Sequence, residues 1–241
     1  MKVALAGYDH WIDSCRRFLP DEAEVRILTE EDLPEPDEKC LLSGSSGDWY
    51  PMLDRAMRQG RSVFLGNPGS WSHHDLQSLE HVAEESDVDL FVLRPWRSAL
   101  GLSARSHRII RLDVPLRSNE RWKPVFGHAI DLVIHALGTD NLLRADASRA
   151  TSESGGMALL LATLRFQNGS FAQVSIAPSE DAPLQMTTSD HVYSMDPAKE
   201  ASERGANIRE FLFKNGPLPK LQDALAGRKI EENIISILRT S

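Results

Sequence analysis

Lys2-Val3-Ala4-Leu5-Ala6-Gly7-Tyr8-Asp9-His10-Trp11-Ile12 is the stretch from which the rest of the chain is read. Four apolar residues, Val3 to Ala6, end in Gly7, and from Trp11 to Leu19 the apolar positions take helical spacing until Pro20 stops them. A short buried strand passing through a glycine into a helix opens a βαβ unit. The alternation then repeats. Val25 to Leu28, Cys40 to Leu42, Ser62 to Leu65 and Leu90 to Leu93 read as strands. Tyr50 to Arg58 and a stretch capped by Ser72 and running to about Glu85 read as helices. Strands separated by single helices imply right-handed crossovers and a parallel sheet, whose ligands bind beyond the carboxyl ends of the strands. Those ends are Gly7 to His10, Ser43 to Gly47, Gly66 to Gly69 and Arg94 to Arg97.

Near residue 98 the pattern changes, so the chain divides into 1–98 and 99–241. Ile109 to Leu116 alternates like a strand, and Phe126 to Leu137 is helical with Gly138 as its C-terminal glycine. Ala158 to Phe166 and Ser170 to Ile176 flank Asn168-Gly169, which predicts a two-residue hairpin turn. In that hairpin Leu160, Ala162 and Leu164 share one face, with Leu159, Leu161 and Thr163 on the other. Gln185 to Thr188 and His191 to Met195 add edge strands, and Arg209 to Lys214 and Leu221 to Leu238 close the chain as helices. The fold class is α/β, a parallel-sheet domain followed by an α+β domain with an open, mainly antiparallel sheet.

Hydrophobic residues make up 41% and charged residues 26% of 241, the balance of a globular protein with a sizeable core. The net charge of −8 argues against nucleic acid and anionic membrane as partners. No apolar run reaches the roughly 18 residues of a membrane helix, and the N-terminus reads as a strand, not a signal peptide. Cys15 and Cys40 lack metal-site spacing and read as reduced, buried thiols of a cytoplasmic protein.

Four stretches resemble the Gfo/Idh/MocA family of glucose–fructose oxidoreductase-like and inositol dehydrogenase-like proteins. Ala56 to Pro68 is similar to its helix, strand and Glu-Lys-Pro turn, and Gly127-His128-Ala129-Ile130-Asp131 to its His-x-x-Asp helix. Ala162 to Gly169 is similar to its sheet hairpin, and Arg209 to Leu212 with Gln222 to Leu225 to its closing helices. The resemblance implies a Rossmann domain, NAD(P) as cofactor, and hydride transfer to or from a sugar, polyol or related carbonyl compound. It also implies that Gly7, Asn67 and Pro68 stand at cofactor-binding positions.

Those positions are degenerate. A Gly-x-Gly-x-x-Gly loop lets backbone approach a pyrophosphate, but here Asp9 and Ile12 stand for the second and third glycines. Asn67 replaces the family's lysine, and Pro124 stands where an aspartate usually precedes the histidine. His128 is the surviving candidate for general acid/base work, or else a packed helix histidine. Arg97 is its candidate helper, and Arg94 could bind an anion at the same strand end. His128, Asp131 and His135 share a helical face, but the spacing is too common to assign a metal. His73-His74-Asp75 reads as an exposed first turn, and Glu30-Glu31 as helix-start acids. The expectation is a protein that binds a small ligand or partner without ordinary hydride transfer and with no cofactor. The alternative is a divergent NAD(P)-dependent oxidoreductase. Apolar residues on both faces of the hairpin sheet predict a homodimer through that sheet.

Overall fold

The computed structural model describes residues 1–44, 46–66, 71–94, 96–97, 100, 107–118, 122–152, 156–213 and 221–240. They form two compact units, 1–94 with 204–225 and 95–203 with 226–241.

The first unit carries β1 (Lys2–Gly7), α1 (Asp9–Arg16), β2 (Glu24–Ile27), β3 (Glu38–Ser43), α2 (Ser46–Arg58), β4 (Val63–Leu65), α3 (His73–Glu85) and β5 (Leu90–Val92). The five strands are all parallel, in the order β2-β1-β3-β4-β5. The order reverses between β1 and β3, so the crevice for a ligand in such a sheet opens there. Alternate residues of each strand feed two cores. Val3, Leu5, Leu41 and Phe64 pack with Trp11, Ile12 and Cys15 of α1 and with Ile208, Phe211 and Leu212. Ala4, Ala6, Cys40, Leu42, Val63 and Leu65 pack with α2 and α3 on the other face. Each fully buried Leu, Ile or Phe adds roughly 1.5–3 kcal/mol. Cys15 and Cys40 are free and buried, and burial pushes both thiols up to about 12.

The second unit carries β6 (Ile109–Leu116), α4 (Trp122–Leu137), β7 (Leu142–Thr151), β8 (Met157–Phe166), β9 (Phe171–Pro178), β10 (Leu184–Thr188) and β11 (Val192–Met195). Its sheet runs β11-β10-β6-β9-β8-β7, antiparallel except for the β6–β9 pair. α4 lies on one face, where Leu160, Ala162, Leu164, Val174, Ile176 and Leu112 are buried. Leu159, Leu161 and Thr163 lie half-buried on the other face, as the alternation predicts. Two long helices close the chain, α5 (Pro197–Phe213) and α6 (Gln222–Thr240).

Several sequence expectations change. The hairpin loop holds three residues, Gln167 to Gly169, not two. The Gly169 N–H donates to the Phe166 carbonyl and the Phe166 N–H to the Ser170 carbonyl. Gly169 has φ +82 but Asn168 does not enter the left-handed region, so the turn is the type that adds a glycine bulge. β7 escaped the sequence reading altogether. Its Arg144, Asp146, Arg149 and alanines have poor strand propensity, and it is an edge strand held by pairing with β8. α5 begins twelve residues before the predicted Arg209, because Pro197 to Ser202 is a polar, solvent-facing start with little periodicity. No helix follows β2 at Glu30-Glu31; Asp32 instead accepts from the N–H and hydroxyl of Thr29. The return of 204–225 to the first unit follows from Phe211, which packs on Phe64 and Phe91 at ring distances of 5.3 and 5.7 Å.

Candidate functional site

The ligand end of the parallel sheet is built from Gly7, from Ser43 and Gly44, and from Gly66. Gly7 has φ +114, and a Cβ there would lie 1.8 Å from the Ser43 carbonyl oxygen. The strand ends are therefore in backbone contact, and the Tyr8 N–H donates to that same oxygen at 3.0 Å. α1 starts at once, with Tyr8 as an N-cap that makes no side-chain cap bond. Of the two side chains that stand for the missing glycines, Asp9 is exposed, and Ile12 is buried in the core of its own helix face. Neither fills the crevice. Tryptophans do. Trp11 is 5% exposed, and a Cβ at Gly66 would lie 2.3 Å from its Cη2. A Cβ at Gly44 would lie 2.1 Å from Trp49 Cδ1, and the fully buried Trp71 donates its indole N–H to the Gly44 carbonyl at 2.8 Å. The side chains at Asn67 and Pro68 lie outside the described residues.

NAD(P), which this kind of fold implies, needs glycine-lined space and free backbone amides at that end of the sheet. Indole rings stand against Gly44 and Gly66, and the Tyr8 amide is bonded to Ser43.

His128 sits in the second unit. α4 holds it half-buried, with its ring centroid 5.5 Å from that of Trp96 and the planes tilted by 51°. Trp96 is itself 5% exposed and donates its indole N–H to Glu200 Oε1 at 2.9 Å. Its neighbour Arg97 makes a two-pronged bond to Asp131, one helical turn beyond His128. Nε donates to Oδ2 at 2.8 Å and one terminal NH2 to Oδ1 at 2.5 Å. The Asp131 side chain is 6% exposed and that of Arg97 15%. The pair ties the chain after β5 to α4, so Arg97 holds Trp96 in place over His128. Behind α4, Gly127 admits the carboxylate of Glu231, whose Oε2 would lie 2.8 Å from a Cβ there. Glu231 is 1% exposed and paired with Arg228 at 2.5 Å.

With Asp131 held by Arg97, the His128, Asp131, His135 set does not act as a ligand group; among the described residues no three such side chains converge on a metal position. Arg94 is 5% exposed, with one terminal NH2 group 3.3 Å from the Leu93 carbonyl, so it is a buried strand-end residue. Ser72 caps α3 by accepting from the Asp75 N–H, and its hydroxyl donates to Asp75, which places His73 and His74 in an ordinary first turn. Sequence reading named Trp11 as bulk beside the lost glycines but missed Trp96, Glu200, Trp49 and Trp71. No described helix is long and apolar enough to cross a membrane.

No family model and no curated protein matches the chain. Solved structures do match over its whole length. It is similar to UDP-N-acetylglucosamine 3-dehydrogenase GnnA from Acidithiobacillus ferrooxidans, with TM-score 0.81 and 12% identity, covering 100% of this chain and 98% of that one. It is similar to scyllo-inositol dehydrogenase from Lactobacillus casei with bound NAD(H) and scyllo-inositol, with TM-score 0.74 and 11% identity over 100% and 97%. It is also similar to biliverdin reductase from Synechocystis sp. in complex with biliverdin and NADP+, with TM-score 0.70 and 13% identity over 99% of both chains. Structure therefore agrees with the sequence resemblance: the chain has the fold of the Gfo/Idh/MocA-type dehydrogenases, a parallel dinucleotide-type sheet followed in sequence by an open, mainly antiparallel one.

Proposed function

We propose that this chain uses the dehydrogenase fold to bind a small hydroxylated or carbonyl ligand beside His128, without hydride transfer from NAD(P). The observation that carries this reading is the half-buried His128 ring beneath Trp96, braced by Arg97–Asp131 and Trp96–Glu200. An imidazole in that setting can give or take a proton at a ligand hydroxyl. Arg97 serves it by holding Trp96, since its guanidinium is engaged with Asp131. The test is a thermal-shift panel of sugars, polyols and keto acids on the wild type and on His128→Ala. A hit is expected to raise Tm in the wild type and to lose that effect in the variant. A ligand that stabilises both equally would leave His128 as a packing residue.

A second reading, an NAD(P)-dependent oxidoreductase acting on a sugar, polyol or related carbonyl compound, is the one the comparisons favour. Two of the matched structures are described with NAD(H) or NADP+ bound. It predicts nicotinamide oxidation or reduction with some member of the same panel, and that His128→Ala abolishes it. The first reading predicts no such turnover.

We further propose that the outer face of the mixed sheet meets a second copy of the chain, and that the protein works in the cytoplasm. Leu159, Leu161 and Phe171 are half-buried there and Ile109 is 59% exposed, while Arg111–Asp113 and Arg144–Asp146 pair their own charges across the same face. Light scattering at micromolar concentration is expected to give about twice 26.9 kDa. A strict monomer would remove the dimer.

A further inference from the structure

We infer that Trp11 seals the dinucleotide crevice from within, so that the ring, and not the loss of the loop glycines or the charge of Asp9, is what excludes a nucleotide. The inference goes beyond the ligand reading at His128 and stands on separate residues.

Three facts carry it. Trp11 lies on the first turn of α1, where a pyrophosphate would meet the helix N-terminus, and its ring reaches Gly66 at the end of β4. Gly66 has no room for even a methyl group against that ring, so ring and glycine fit each other closely. The Trp11 Nε1 is buried and has no hydrogen-bond partner among the described residues. A side chain kept for its polar edge would have one, so the ring is kept for its bulk. Asp9, by contrast, is exposed and fills nothing. At the neighbouring strand end Trp49 stands against Gly44 and Trp71 donates its indole N–H to the Gly44 carbonyl.

The physical consequence is a sheet end stabilised by its own aromatic rings where a ligand would otherwise lie. A nucleotide could enter only by turning the Trp11 ring out of its contact with Gly66, which exposes a large apolar surface and leaves a cavity.

The experiment titrates NADH and NADPH into the full-length wild type, Asp9→Gly and Asp9→Gly/Trp11→Gly, with folding checked by circular dichroism. The wild type and Asp9→Gly are expected to show no saturable binding up to about 1 mM, and the double variant to bind at least about tenfold tighter. Binding to the wild type below roughly 50 μM, or to Asp9→Gly alone, overturns the seal. So does a folded double variant that binds no better than the wild type. Should the double variant not fold, the wild type decides. The Trp11 indole N–H signal is expected to exchange slowly with deuterium and not to shift with NADH. Rapid exchange, or a shift, overturns the inference. The His128→Ala comparison uses other probes, so either idea can fall while the other stands.

Discussion

Gly7→Ala is expected to remove most of the stability of the protein. At φ +114 an alanine is strained whatever surrounds it, at a cost of about 1–3 kcal/mol. The greater penalty is the clash. Gly7 is paired in register with Ser43, and the new methyl carbon would lie 1.8 Å from that residue's carbonyl oxygen and 2.5 Å from its carbonyl carbon. Backbone on backbone cannot rotate away; β1 and β3 must separate, and the sheet's central pairing goes with them. The expected loss exceeds about 4 kcal/mol, in the range where single substitutions are exceptional. Against a typical total of about 5–15 kcal/mol, this is expected to lower Tm by more than about 10 °C. Gly60→Ala is the control. Its φ is +79, but nothing lies within 4 Å of the new methyl group, so only the strain of roughly 1 kcal/mol remains. Urea denaturation of both variants measures the difference. Equal losses would mean that the β1–β3 contact yields more readily than its geometry says.

Asp131→Ala is expected to cost about 3–5 kcal/mol, because it leaves the Arg97 guanidinium charged and nearly buried without its carboxylate. A Cβ at Gly227 would lie at van der Waals distance, 3.7 Å, from the Asp131 Cα, so solvent has little room to enter and compensate on that side. Replacing both residues, Arg97→Leu with Asp131→Leu, is expected to restore most of the loss, since two apolar side chains need no charge partner. The double-mutant cycle separates the pair's coupling from simple packing. A second readout tests the positioning role. If Arg97 holds Trp96 over His128, both single variants should change the Trp96 indole signal and the His128 ring signals in NMR spectra. Both signals unmoved, with stability lost, would reduce the pair to a structural tie.

The parallel pairing of β1, β3 and β4 was legible because each is a compact apolar run ended by glycine or serine, with an amphipathic helix after each of them. The faces of β8 were legible for the same reason, with a period of two over ten residues. β7 was not, because an edge strand of Arg, Asp, Ser and Ala owes its conformation to the partner beside it. The hairpin loop was misread by one residue. Asn-Gly permits the two-residue turn, but the register of β8 on β9 selected the three-residue one. At the candidate site, His128 stood out by its helix context. Trp96 and Glu200 did not, since they meet across 104 residues of chain.

Sequence by itself determined the βαβ opening, the change to hairpins, the buried thiols and the absence of the glycines that a pyrophosphate needs. These are local properties: periodicity, turn chemistry and residue size act between near neighbours. Tertiary structure alone decided that residues 204–225 return to the first unit and that Arg97 is spent on Asp131. It also decided that Trp11, and not Asp9 or Ile12, stands against Gly66. Each of these depends on which distant surfaces meet. A ring of that size goes where a glycine 55 positions away leaves space for it, and only the packed sheet brings the two together.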